Sequence, residues 1–250
     1  MWFLGRGSSG GKPRQSPPPL PIIVIVQGEP VAVTLRQHAR ARRMVLRQSR
    51  DGEHFILTVP RRHDRRAAEG FLNASAGWMA RTRARLPAAV PMVDGGSITL
   101  RGETYLIEST GSPRGQVTVD PVSRRISVPG TPHHLKRRLV EWLRREALGD
   151  FQDASRRYAL AMHVTVQRLA VRDQKGRWGS CSTGGILSFS WRLVLAPPMV
   201  LDYVAAHEVA HLREMNHGPR FWRLVLTHCM HAAAARAWLK QHGQSLHRMA

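Results

Sequence analysis

Residues 198–215 read Pro198-Met199-Val200-Leu201-Asp202-Tyr203-Val204-Ala205-Ala206-His207-Glu208-Val209-Ala210-His211-Leu212-Arg213-Glu214-Met215. The Pro197-Pro198 pair opens a helix, because a proline in the first helical turn gives up no intrahelical hydrogen bond. His207 and His211 are four residues apart, so their imidazoles stand one turn above the other on one face. Both can reach a single ion. Glu208 follows the first of them and is directed toward water on such an ion, where it can act as a base. Short patterns recur by chance, and the 13 His of this chain raise that chance. The context here is unusual, because Val200, Leu201, Val204, Ala205, Ala206, Val209, Ala210 and Leu212 make the helix apolar. Burying two His and a Glu in it is costly unless they are paired or bind metal. The competing reading is two core histidines satisfied by carbonyl groups.

A catalytic zinc takes three protein ligands and keeps a fourth position open. A third ligand from an acidic residue of a later helix is excluded by inventory, since no Asp or Glu follows Glu214. The remaining donors are His217, His228, His231, His242, His247, Cys229 and Glu214 itself. His217 is favoured. It lies six residues after His211, the spacing of the metzincin pattern, although that pattern has Gly where this chain has Glu214. Asn216 and Gly218-Pro219 suit a chain that leaves the helix and swings back. Glu214, seven residues after His207, fits an outer or solvated carboxylate better than a ligand. The His228 to His231 cluster ranks below it, as a local packing feature.

Working outward, the sequence alternates short β-like runs with helices. Val31–Leu35, Met44–Gln48 and His54–Val59 are divided by turn residues, Asp51-Gly52 among them. Asp64 opens a helix to about Arg85, with Ala67, Phe71, Ala74, Trp78 and Met79 at helical spacing. A second β section spans Ser97–Leu100, Glu103–Glu108, Gln116–Val119 and Arg125–Val128, with Arg101-Gly102 as a tight turn. A long helix runs from Pro132 to about Met162. Its buried stripe includes Leu135, Leu139, Trp142, Leu143, Ala147, Phe151, Tyr158 and Leu160. Strands follow at 166–172, 177–182 and 186–191, before the His-bearing helix and two more helices at 220–227 and 231–241. The expected fold is α+β, with mostly antiparallel strands, a metal-binding helix and C-terminal helices. The expected organisation is a disordered Pro/Gly-rich leader over 1–29, a β-rich region with one helix over 30–130, and the metal-binding core over 131–250.

Composition sets the bounds. With 250 residues, 42 % hydrophobic and 22 % charged, the chain is long enough for one packed core with a small addition, and wholesale disorder is excluded. The net charge of +21 permits nucleic acid or an anionic surface as partner. The excess is carried by Arg, with only four Lys in an Ala-rich chain, a skew that base composition of the genome also produces. Two cysteines cannot form a disulfide framework. No stretch approaches the 18 apolar residues of a membrane span, and no signal-like segment is apparent, so a cytoplasmic protein is expected.

From about Val166 to Trp238 the sequence resembles the YgjP-like branch of the SprT/zincin-type metallopeptidases. The residues that carry this are Arg177-Trp178-Gly179-Ser180-Cys181-Ser182 and Phe189-Ser190-Trp191-Arg192-Leu193-Val194-Leu195-Ala196-Pro197-Pro198. They continue through Asp202 to Leu212 and Met215-Asn216-His217-Gly218-Pro219-Arg220-Phe221-Trp222. The N-terminal strands and the Asp64 helix resemble the same family more loosely. The resemblance implies a zincin-like fold, with His207, His211 and His217 as Zn²⁺ ligands and Glu208 as catalytic base. The family often has Ser where this chain has Gly218, which affects little beyond one hydrogen bond.

The function this implies is hydrolysis of peptide bonds in a peptide or protein substrate. The 177–182 strand would offer an edge to an extended peptide. Tyr203, one turn before His207, is the available oxyanion candidate, and a core role suits it better. A rival class is a basic nucleic-acid-binding protein whose zinc is structural, or a protease working near DNA. The basic runs 36–50, 61–66 and 81–85 and the Arg-rich long helix would neutralise phosphates. Against it stand the absence of zinc-finger spacing and the sparse aromatics. An inactive scaffold is disfavoured because Glu208 is present.

Overall fold

The computed structural model describes residues 21–49, 52–174 and 176–249. It divides into two compact units. The first holds the described residues up to Arg47 together with His54–Ala80, and the second holds the rest.

In the first unit, β1 (Ile22–Val26) and β2 (Glu29–His38) form a hairpin whose turn, Gln27-Gly28, has φ of 53° and 83°. Two consecutive positive φ values are what a two-residue turn needs to match strand twist. The sheet order is β1-β2-β4-β3, with β3 at Val45–Gln48 and β4 at Phe55–Pro60, and β2 runs parallel to β4. Alternate residues Phe55, Leu57 and Val59 point to one face and are fully buried there with Val31 and Val33. That face is covered by α1 (Arg65–Ala74) and α2 (Ala76–Ala84), through Ala68, Leu72 and Met79. The single helix expected from Asp64 is thus two, interrupted at Ser75. Asp64 does cap the first, its carboxylate accepting the Arg66 N–H at 3.1 Å. Of the leader expected over 1–29, residues 1–20 lie outside the described residues, as does Asp51 of the hairpin signal. Residues 22–26 are strand β1, stapled to β2, and not leader.

The second unit carries a sheet of order β5-β6-β8-β7, made of β5 (Ser97–Leu100), β6 (Glu103–Ser109), β7 (Thr118–Asp120) and β8 (Arg125–Val128). It packs on α3 (Pro132–Ala161), a 30-residue helix whose Leu135, Leu139, Leu143, Ala147 and Phe151 are buried. Leu160, expected in that stripe, is instead 72 % exposed. The Arg101 guanidinium, on the β5–β6 turn, grips Asp150 of α3 at 2.8 and 2.9 Å and Glu146 at 2.9 Å. These strands bury Ile98, Ile107 and Ile126 in the same core as α3, so they go with the second unit and not with the N-terminal strands. On the outer face of α3, Arg137 pairs with Glu141 and Arg138 donates to the carbonyls of Pro129 and Pro113.

A third sheet, order β10-β11-β9, consists of β9 (Arg168–Arg172), β10 (Gly179–Cys181) and β11 (Ile186–Ser190). Beyond it a 3-10 turn, Trp191–Leu195, leads into α4 (Pro198–Ala210), then α5 (Pro219–His228) and α6 (Ala232–His247). Arg192 fixes this turn. It is 8 % exposed, pairs with Asp173 at 3.0 Å and donates to the carbonyls of Leu246 and Met249. A buried charge held by a carboxylate and two carbonyls orients its neighbours, and losing a partner is expensive. Among the described residues the fold is α+β with six α-helices, and its sheets are mixed. β2–β4, β6–β8 and β9–β11 are parallel, so the mostly antiparallel pattern is met only in part. The connections between those pairs are long enough to return the chain in the same direction, which hairpin signals do not reveal.

Candidate metal centre

α4 is an interior helix. Val200, Val204, Ala205, Ala206, Val209 and Ala210 are buried between α3 and α6, each contributing on the order of 1–2 kcal/mol of apolar burial. Its helical hydrogen bonding stops at Ala210, five residues before the sequence pattern suggested. His211 is the C-cap residue, and the N–H groups of Arg213 and Glu214 both turn back to the Ala210 carbonyl. The tight exit sends Asn216 to Gly218 back over the last turn, and Pro219 restarts a helix as α5.

The exit brings His217 beside the other two histidines. The Nε2 atoms of His217 and His207 are 3.0 Å apart, and one nitrogen from each of His207, His211 and His217 lies within 4.8 Å of the others. The ring centroids are 5.0 Å apart for His207–His211, 4.9 Å for His207–His217 and 4.7 Å for His211–His217. Phe221 of α5 is fully buried and packs against all three rings, at 4.6 to 4.8 Å. His211 is buried, His207 half-buried and His217 exposed, so the cluster is closed below and open on one side.

The opposite ring nitrogens are engaged. His211 Nδ1 lies 3.1 Å from the Glu214 carbonyl oxygen, which can only accept, so Nδ1 carries the proton and Nε2 is left with a lone pair. His207 Nδ1 lies 3.4 Å from the Tyr203 hydroxyl, which leaves its Nε2 on the side of His217. Outer partners of this kind orient metal-binding imidazoles. Burial first, then the neighbouring His211, His217 and Arg236, pulls His207 down to about 3, and burial also lowers His211. Both rings are therefore neutral at pH 7. Three converging imidazoles, two of them neutral and held by outer partners, fit a divalent metal. Among the described residues this is the group of His, Cys, Asp and Glu side chains that converges in that way.

Glu208 is 6 % exposed, and burial pushes its carboxyl up to about 7 against the opposing charge of Arg177. It lies against Gly179 of β10, where a Cβ would stand 2.6 Å from its Cγ and Oε1. The absent side chain at Gly179 is thus the space that Glu208 occupies. Cys181, two residues on, is raised to about 11 by burial and by Glu208, which keeps it a neutral thiol.

The other donors weighed as third ligand go elsewhere. Cys229 is buried beside Tyr158, His247 stacks on Trp178 at 4.3 Å, and His242 packs on Trp238 at 4.8 Å. His231 and His228 flank the α5–α6 junction, and Glu214 serves through its main-chain carbonyl. Tyr203, weighed for oxyanion duty, has its hydroxyl on His207 instead, on the far side of the ring from Nε2. The i, i+4 spacing of Tyr203 and His207 was the available signal. Gly179 and Phe221 stood among the residues carrying the family resemblance, but nothing in their spacing told what each would touch.

The sequence model of the YgjP-like, metallopeptidase domain matches residues 42–242, about four-fifths of the chain. No curated protein and no solved structure matches it significantly. A metallopeptidase family implies a divalent metal, and the three-His cluster could hold one. The chain belongs to the YgjP-like metallopeptidase family.

Proposed function

We propose that this protein is a zinc-dependent peptidase of zincin-like fold, with His207, His211 and His217 as ligands and Glu208 as general base. The observation that carries the reading is the pairing of three converging imidazole nitrogens with one buried carboxylate on the next residue of the same helix. When bound, Zn²⁺ supplies a Lewis acid that polarises a carbonyl and makes water acidic near neutral pH. Glu208 takes the proton from the attacking water at its carboxylate and delivers it to the departing amine. A carboxyl whose affinity for protons is raised toward neutrality is suited to both halves of that transfer. Gly179 lets this carboxylate sit tight against β10. Phe221 and Trp222 screen the imidazoles from water.

β10 is the outer strand of its sheet, so its free main-chain groups are available to an extended peptide lying alongside Glu208. Substrate main chain paired to that edge would be held across the cluster. No helix of the described residues is long and apolar enough to cross a membrane, and we place the activity in the cytoplasm.

The test is elemental analysis for zinc with a peptide-cleavage assay. Glu208→Gln is expected to retain zinc and lose about 10²–10⁴-fold in kcat. A Glu208→Gln protein that cleaves peptides at the rate of the parent overturns the reading.

A further inference from the structure

The three-His cluster is rimmed by guanidinium groups that have no carboxylate of their own. Arg236, exposed on α6, lies 4.4 Å from the ring centroid of Trp222. The same indole lies 5.9 Å from the rings of both His207 and His217. One aromatic ring therefore separates the guanidinium from two of the imidazoles. Arg177, also exposed, lies two residues before Gly179 of β10, the residue against which Glu208 packs. Neither Arg has an ion-pair partner among the described residues. The inventory explains why. Between Asp173 and the end of the chain the acids are Asp202, Glu208 and Glu214. Asp202 is taken by Arg157 at 2.7 Å and by the Tyr158 hydroxyl. Glu208 is buried against Gly179, and Glu214 lies in a cleft with Arg213, Arg220 and Arg223. An unpaired guanidinium pinned on an indole is pre-organised, so it gives up little freedom on meeting an anion.

We propose that Arg236 selects peptides bearing a carboxylate close to the scissile bond. The inference rests on the peptidase reading for the word scissile, but the binding preference stands apart from turnover. The carboxylate has two sources, an Asp or Glu side chain or the α-carboxylate of a peptide ending near the bond. Lys and Arg at the same positions are repelled, since the metal and the guanidinium share one sign.

The experiment uses fluorescent peptides that differ only as Glu or Gln on either side of the central bond, each with a free or amidated C-terminus. Their Kd values are measured by anisotropy on the zinc-loaded Glu208→Gln protein, with zinc content checked for every variant. The Glu peptide is expected to bind about three- to fivefold tighter than the Gln peptide, the range of an exposed ion pair. Arg236→Gln is expected to bring the ratio to about one, and Arg236→Lys to restore part of it. Arg144→Gln, which removes the same charge from the exposed face of α3, is expected to keep the ratio. If only the free C-terminus confers the preference, the source is the α-carboxylate. Equal binding of the Glu and Gln peptides together with no gain from a free C-terminus, no binding of any of the peptides, or an equal loss in Arg144→Gln overturns the inference. A preference that depends on Arg236, in a parent protein that cleaves none of the peptides, leaves the inference standing and overturns the peptidase reading.

Discussion

Gly179 offers the sharpest separation of catalysis from stability. A methyl group there would meet Glu208 Cγ and Oε1 at 2.6 Å and Cδ at 2.8 Å, where ordinary contact begins at 3.4 Å. In Gly179→Ala the carboxyl group must therefore retreat by about 0.8 Å. The backbone of Gly179 is not in the left-handed region, so alanine adds no strain of its own. Glu208 escapes by leaving its rotamer, at a cost of about 0.5–1.5 kcal/mol. For a chain of this size that lowers Tm by about 1–6 °C. A base displaced by close to 1 Å loses far more, about 10²-fold in rate. The histidines do not touch Gly179, so zinc content is expected to match the parent. The assay is kcat/KM on a quenched peptide, with zinc per chain and thermal unfolding measured on the same preparation. A Gly179→Ala protein with full kcat/KM refutes the placement of Glu208 against β10. A protein that loses zinc along with activity refutes the argument that Gly179 serves the base and not the ligands.

Loss of the exposed ligand, in His217→Ala, is expected to lower zinc affinity by more than the ~10–100-fold that losing an outer partner costs, read by competition with a chelating dye. Tyr203→Phe removes the hydroxyl behind His207 and is expected to cost about tenfold in zinc affinity, with unchanged secondary structure by circular dichroism. In the metal-free protein Glu208 binds its proton more tightly folded than unfolded, with a value raised from 4.5 to about 7. Its contribution is therefore full below 4.5 and is lost as pH rises through about 7, worth at most about 3 kcal/mol. Glu208→Gln is expected to be the more stable of the two metal-free proteins at pH 8 and no more stable at pH 4, by urea titration. His207 runs the other way. Lowered to about 3, it withdraws stability as pH falls below 6.5 in both proteins, so the difference between them isolates Glu208.

Much of this site is local in sequence. A residue four positions from another on a helix must share its face, so His207, His211 and the Tyr203 hydroxyl are set by 3.6-residue periodicity once α4 forms. The exclusion of a later acidic ligand needed only an inventory, and Asn216, Gly218 and Pro219 announced the exit that returns His217. The turn at Arg101-Gly102 and the cap at Asp64 are equally local. The early end of α4 at Ala210, the break at Ser75 and the exposure of Leu160 were not legible. Each depends on what the rest of the molecule packs against those residues, and apolar periodicity continues past all three.

The amino-acid sequence by itself determined the proposed chemistry, because the three candidate ligands and the candidate base lie within eleven residues, from His207 to His217. The tertiary structure alone decided how that chemistry is held and what surrounds it. Gly179 meets Glu208, Phe221 underlies three imidazoles, and Arg236 reaches Trp222 only because β10, α5 and α6 close around α4. Contacts of that kind follow from burial of one core shared by several elements, and no periodicity within a single element encodes them.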